Sequence, residues 1–203
     1  MKIALIGATG GVGSRVLKEA TSRGHQVTAI ARDVGKVEAG PGVTARAGDL
    51  SDRAKTAELL KGHDAVVLSV KHQGNDISDF LAAAEAAGVK RVLIVGGAAS
   101  LLNAEGVRLL DTPGFPEFIK PEATPAAAAL ETVRKNTTLD WSFISPSIFL
   151  NPGERTGKFR TGGDSVIFDD KGESKISHED LAVAIVDELE IPKHIRQRFT
   201  VGY

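Results

Sequence analysis

The chain has 203 residues, with 25 basic against 26 acidic side chains and a net charge of −1, so it carries no nucleic-acid or polyanion footprint. It has no cysteine, which excludes disulfides, thiolate metal sites and a cysteine nucleophile. No stretch approaches the ~18 or more apolar residues of a membrane span, and the apolar start is too short for a signal-peptide core; a soluble cytoplasmic protein without a membrane or nucleic-acid partner is expected.

Short β-rich apolar runs alternate with helical patterns along the chain. Strands are expected at Ile3–Ile6, Gln26–Ala31, Val43–Arg46, Ala65–Val70, Arg91–Val95, Trp141–Ser145 and Arg198–Val201. Helices are expected near Gly11–Arg23, Arg53–Leu60, Ile77–Ala87, Pro125–Asn136 and His178–Leu189, the fourth with Pro125 in its first turn. Strands that are apolar nearly throughout are buried on both faces, as in a parallel sheet covered by helices. The alternation therefore predicts βαβ units in an α/β, doubly wound sheet of about seven strands, forming a single domain over residues 1–203.

Two segments break this rhythm. Gly96–Thr124 holds Pro113, Pro116 and Pro121 and reads as a lid or binding loop. Asn151–Lys175 is rich in glycine and charge, and "VIFDDKGES" suggests a short hairpin. Each follows a predicted strand's carboxyl end, where ligands bind in open α/β sheets, so 96–124 and 146–175 are the expected substrate loops. In the last helix, Ser177 and Asp180 fit a capping box, and the helix reads as structural, with His178 at its start.

Between the first strand and helix the sequence reads "GATGGVG", a G-x-x-G-x-x-G spacing at Gly7, Gly10 and Gly13 with Gly11 between. Gly7 permits the turn out of the strand, Gly10 lets the backbone approach a pyrophosphate, and Gly13 lets the helix pack on the sheet. The helix amino terminus then turns its free N–H groups to the phosphates. The alternative is a tight turn with no ligand. Strand context before the loop and helix context after it favour the dinucleotide reading.

Arg32 lies nineteen residues after Gly13, at the end of the second strand. An acidic residue there would bind the ribose of NAD, whereas arginine pairs with the 2′-phosphate of NADP. The competing reading leaves Arg32 solvated and gives the ribose or a turn to Asp33. Asp49, in "AGDLSD", contacts the adenine edge or else caps the next helix, as Ser51 also can.

Together these residues resemble the atypical short-chain dehydrogenase/reductase superfamily, in the branch of NAD(P)H-flavin reductases related to NmrA-like and biliverdin reductase B-like proteins. The likeness runs through "IGATGGVGSRV", "ARD", "AGDLSD", "RVLIVGGAASL", "DWSFISPS" and "ISHEDLAVAIVDELE". It implies a Rossmann-type sheet in order 3-2-1-4-5-6-7, with NADPH, or NADH, along the carboxyl edge. The implied cofactor contacts are Gly7, Thr9, Gly10, Gly11, Val12 and Gly13 in the loop, then Arg32, Asp49 and Leu50. Val70 and Lys71 follow after the fourth strand, Gly96 and Gly97 after the fifth, and Pro146, Ser147 and Ile148 after the sixth.

One departure from the superfamily matters more than any match. The usual acid/base pair is Tyr-x-x-x-Lys, with the lysine lowering the tyrosine's pKa. Here the single tyrosine is Tyr203, and "PEATPAAAALETVRKN" offers alanines instead. That argues against ordinary alcohol dehydrogenase or epimerase chemistry. Hydride transfer to a conjugated acceptor needs position and exclusion of water, and the proton can come from solvent.

Ser100 is placed by the resemblance near the nicotinamide, to orient its carboxamide or hold the substrate; otherwise it is a loop serine bonded to its own backbone. His72 is the most attractive proton donor, since histidine changes charge nearest neutrality, or else an ordinary loop residue. His25, His63 and His194 sit at predicted turns and read as solvated, and no cluster has metal-ligand spacing. Arg155, Lys158 and Arg160 either greet an anionic substrate or the cofactor phosphate, or are solvated. The expected function is an NADPH-dependent reductase acting on a flavin (FMN or FAD as substrate), a quinone or a similar small-molecule acceptor. The rival is an NADP-binding redox sensor without turnover.

Overall fold

The computed structural model describes residues 1–203. Ten strands and five helices follow in the order β1 (Lys2–Ile6), α1 (Gly11–Ser22), β2 (Gln26–Ala31), β3 (Val43–Ala47), α2 (Arg53–Leu60), β4 (Ala65–Leu68), α3 (Ile77–Ala87), β5 (Arg91–Val95), α4 (Lys120–Arg134), β6 (Asp140–Pro146), β7 (Phe149–Asn151), β8 (Arg160–Gly162), β9 (Lys175–Ser177), α5 (His178–Glu190) and β10 (Gln197–Gly202). The main sheet runs β3-β2-β1-β4-β5-β6-β10-β8. Every pairing in it is parallel except β10 with β8. The doubly wound order implied by the resemblance is present, with β10 as its seventh strand and β8 as an added eighth. No helix is long and apolar enough to cross a membrane.

The pleat divides each central strand between two cores. Ile3 and Leu5 of β1 and Leu93 and Val95 of β5 face Val16, Leu17 and Ala20 of α1 and Leu181, Ile185 and Leu189 of α5. Ala4 and Ile6, with Val92 and Ile94, face Leu60 of α2, Phe80 and Leu81 of α3, and Leu130 and Val133 of α4. Burial on both faces explains why these strands carry no polar alternation. At the outer edge β3 stays largely exposed.

Local signals set most boundaries. Asp52 caps α2 by accepting from the Lys55 N–H at 2.9 Å, so neither Asp49 nor Ser51 is that cap. Ser177 accepts from the Asp180 N–H at 2.9 Å, one half of the expected capping box. The other half is absent, because the Asp180 carboxylate takes the Thr156 hydroxyl at 2.5 Å, the Gly157 N–H at 2.8 Å and the Tyr203 hydroxyl at 2.9 Å.

Three elements depart from expectation. Helix α4 begins at Lys120 with Pro121 in its first turn, and Pro125 lies inside it. The pattern had pointed to the wrong proline, since either can open a helix. The "VIFDDKGES" segment forms a turn, with the Asp169 N–H donating to the Glu173 carbonyl, but no hairpin. The strand leaving it, β9, pairs in parallel with β7. Strand β4 stops at Leu68, and Val70 belongs to the loop beyond.

Candidate functional site

From β1 the chain builds outward to β2 and β3, then crosses to place β4 on the other side of β1. The crevice outside the carboxyl ends of β1 and β4 is therefore the topological switch point, where open α/β sheets bind ligands.

The glycine loop fills this crevice with two kinds of glycine. Gly7 has φ +87°, and a Cβ there would lie 2.0 Å from the Ser69 carbonyl oxygen. At Gly13 a Cβ would lie 2.1 Å from the Gly7 oxygen. The protein's own packing requires both. Gly10 differs: its φ is −75°, and a Cβ would meet nothing closer than the Gly7 oxygen at 3.4 Å. Helix α1 starts immediately after it with no side-chain cap and no acidic residue in the first turn. That leaves N–H groups and a positive helix end facing open space, a ready anion cradle.

Two cavities meet at this loop. The first, about 370 Å³, is lined by Gly7, Thr9, Gly10, Arg32, Asp49, Leu50, Val70 and Lys71, with Ser69, Gln73 and Asn75. Arg32 is exposed and makes no ion pair. Asp33 is turned away, accepting from the Gly35 N–H at 3.0 Å and lying 3.5 Å from Lys36. Asp49 accepts from the Ser51 N–H at 3.0 Å and hydroxyl at 2.8 Å. Those bonds, and then the nearby Arg32, hold its carboxyl below the usual range.

The second cavity, about 560 Å³, shares Gly10, Ser69, Val70 and Lys71 with the first and extends over β5. Gly11, Val12, His72, Gly96, Gly97 and Ile148 line it, as do Leu109, Phe115 and Ile119 of the 96–124 loop. Gly96 is needed by the core, for a Cβ there would lie 2.0 Å from the Phe143 ring; at Gly97 a Cβ would meet only the Ala126 Cβ, at 3.9 Å. Glu122 grips the loop after β4, accepting from the His72 N–H at 2.6 Å and the Gln73 N–H at 3.1 Å.

Several expected site residues lie elsewhere. Ser100 does not line either cavity; its hydroxyl accepts from Arg198 at 3.4 Å, and Arg198 is ion-paired with Asp164. The turn at residues 98–100 rotates the hydroxyl away from the crevice toward β10. Pro146 and Ser147 are also outside both cavities, because β6 continues to Pro146, paired with Val201, and the Ser147 hydroxyl donates to the Val201 carbonyl at 2.8 Å. Gly13 faces Gly7 rather than the cavity.

His72 is buried in the cavity wall, and its Nε2 donates to the Val95 carbonyl at 3.0 Å. A carbonyl only accepts, so the neutral ring keeps its proton on Nε2 and leaves Nδ1 as an acceptor. Of the ring's two nitrogens, Nε2 is therefore engaged by the fold.

Two of the three residues of the basic stretch are spent on structure. Arg155 forks onto Glu19 at 2.7 and 2.8 Å, and Arg160 donates to the Phe168 and Tyr203 carbonyls. The three histidines expected to be solvated are tied down as well. His25 contacts Glu190 at 2.8 Å, His63 bonds Thr28 at 2.8 Å, and His194 meets Glu188 at 2.8 Å while stacking on Phe199. Sequence reasoning missed Ser69, Glu122 and His178 as cavity residues. Ser69 was recoverable, since it directly follows β4; Glu122 and His178 reach the crevice only through helix packing.

The sheet order, the uncapped helix and the space at Gly10 define a Rossmann-type dinucleotide-binding protein, and the joined cavities fit an extended ligand with a phosphate bridge at its centre. A family model described as NAD(P)H-binding matches residues 7–192. The chain belongs to this family, of the atypical short-chain dehydrogenase/reductase kind. Among solved structures, a Burkholderia pseudomallei protein described as a candidate exported protein is 45% identical, with all of both chains covered and a TM-score of 0.90. A Bacteroides thetaiotaomicron protein described as a candidate epimerase is 42% identical, covering 100% of this chain and 96% of that one, with a TM-score of 0.94. A Streptococcus pneumoniae protein described as a candidate NADH-flavin reductase is 36% identical, covering 100% and 99%, with a TM-score of 0.87.

Proposed function

We propose that the protein is an NADPH-dependent reductase that delivers hydride to a flavin such as FMN or FAD, a quinone or a similar conjugated acceptor. The observation that carries this reading is the apolar chamber joined to the glycine crevice, with no tyrosine in its wall. Arg32 stands unpaired where a 2′-phosphate belongs, with Asp33 engaged elsewhere, which favours NADPH over NADH. Gly11 and Val12, in the uncapped first turn of α1, offer N–H groups to the phosphates, and Thr9, Asp49 and Leu50 border the adenosine half. When bound, the nicotinamide supplies the hydride.

The chain's own part in the chemistry is position and dryness. Val12, Val70, Ala98, Leu109, Phe115 and Ile148 give the chamber an apolar lining that excludes water around a flat acceptor. Two of its ionisable groups are already engaged, Glu122 on backbone N–H groups and His72 on Val95. Tyr203, the only tyrosine, donates to the Asp180 carboxylate and lies 2.9 Å from the Ser177 hydroxyl instead. An alcohol dehydrogenase or epimerase lacks its acid/base here, whereas a conjugated acceptor spreads the added charge and takes its proton from water. The cysteine-free composition suits the reducing cytoplasm as the place of action.

The test is oxidation of NADPH by the purified protein with a panel of flavins and quinones, with NADH in parallel. Saturable turnover, faster with NADPH, is expected. Tight NADPH binding with no turnover on any acceptor would replace the reductase with an NADP-binding redox sensor, which the same missing acid/base also permits.

A further inference from the structure

His178 stands in the second cavity with no role in the reading above. It is the first residue of α5, yet its ring bounds the glycine loop: a Cβ on Gly11 would lie 3.0 Å from His178 Cε1 and 3.3 Å from Nδ1. Nδ1 is sealed from solvent and has no hydrogen-bond partner. Buried polar atoms in folded proteins nearly always have one. The orphan therefore sits beside the uncapped first turn of α1, where the N–H groups are also without side-chain partners.

The charged groups around it are few. Arg15 of α1 and Glu179 of α5 pair with each other at 3.0 Å, and β7 contributes the Leu150 backbone. Lys71, His72 and Glu122 line the same cavity. Burial, and then Arg15, push the His178 imidazole below its ordinary pKa against the opposing pull of Glu179 and Leu150.

We infer that His178 is a cofactor-binding residue that contacts the phosphate bridge of the dinucleotide and takes up a proton as the cofactor binds. This rests on the cofactor assignment above. A phosphate beside the ring favours the imidazolium, so the bound state titrates at higher pH than the free state. Between those two values only the complex carries the proton. Affinity thus rises as pH falls through the bound-state value and levels off below the free-state value.

The experiment is calorimetric titration of the wild type and His178→Gln with NADP⁺, in two buffers of different ionisation enthalpy, from about pH 5.5 to 8.5. The 2′-phosphate titrates in the same window, but it does so for both proteins, so the difference between them reads the histidine. The wild type should take up more protons than the variant near neutrality. The variant should bind about tenfold more weakly at the acid end, as expected for a lost charge-assisted hydrogen bond, and approach the wild type at the alkaline end. Equal proton uptake, or a weakening uniform across pH, overturns the inference and leaves the cofactor assignment standing. Absence of NADP⁺ binding by the wild type sinks both. Should the variant fail to fold, NMR titration of the wild-type His178 Cε1–H decides: a pKa that does not rise on adding NADP⁺ overturns the inference.

Discussion

The two edges of the main sheet treat polar groups in opposite ways. At the amino edge, Arg91 opens β5 from inside the protein and donates to the Asp140 carbonyl at 2.9 Å, the Ser142 hydroxyl at 2.8 Å, and the Glu188 carbonyl and carboxylate at 3.0 Å each. Glu188, 3% exposed, also accepts from the N–H groups of Lys193 and His194 and meets the His194 ring. At the carboxyl edge, Arg32 and Lys71 have no ion-pair partner, α1 has no cap, and His178 Nδ1 is orphaned. A folded chain satisfies most of its buried polar groups internally where it needs only stability, and at Arg91 only Nε is left without a partner. Around the cavity such groups are left open to a ligand.

The largest effect should come from breaking the paired edge. Glu188→Ala leaves the Arg91 guanidinium buried without its counter-charge, and a loss of about 3–5 kcal/mol is expected, read by urea denaturation, with NADPH affinity unchanged. The pH dependence sharpens this. Burial raises the Glu188 pKa, but hydrogen bonds from His194 and Lys193 outweigh it and leave the carboxyl below its ordinary value. Its contribution is therefore complete above the unfolded-state pKa of about 4.3 and disappears as pH falls through the lower folded value. The stability gap between wild type and Glu188→Ala should narrow over that acid window, and a gap that widens there would contradict the assignment.

The open edge should respond the other way. Gly10→Val adds a side chain where the backbone accepts one and its Cβ would make only ordinary contacts, with the Gly7 oxygen at 3.4 Å and the Ser69 oxygen at 3.9 Å. Folding should survive, with cofactor affinity falling roughly a hundredfold from the steric penalty against the phosphates. Full binding by a folded Gly10→Val protein would reduce the loop to a turn. Arg32→Asp should weaken NADPH about tenfold, the scale of one lost charge-assisted contact, and leave NADH nearly as it was. Equal losses for both would remove the 2′-phosphate from Arg32. The smallest effect belongs to Ser100→Ala. With its hydroxyl held 3.4 Å from Arg198 and outside both cavities, steady-state kinetics should not change, and a fall in kcat would bring the serine back to the nicotinamide end.

Much of this architecture is local in origin and was legible in the residues. Apolar runs, the glycine spacing and helical periodicity specify β1, β2, β5, α2 and α3 to within a residue or none, although the cap of α2 is Asp52 and not the expected Asp49 or Ser51. The glycine crevice and the position of Arg32 follow from the same local rules, since turn, strand end and helix start are contiguous in the chain. Which way a loop hydroxyl points was not legible. Ser100 was turned toward Arg198 by a three-residue helical turn, and Ser147 toward Val201 by the pairing of β6 with β10.

The sequence by itself determined a doubly wound sheet and a dinucleotide loop, because periodicity and glycine placement act over a few residues. Only the tertiary structure decided which charges are spent and which are free. Arg155 finds Glu19 across 136 positions, Arg91 finds Glu188 across 97, and His178 reaches Gly11 only because α5 packs on α1. Charge pairing and burial depend on neighbours brought together by the whole fold, and no local pattern encodes them.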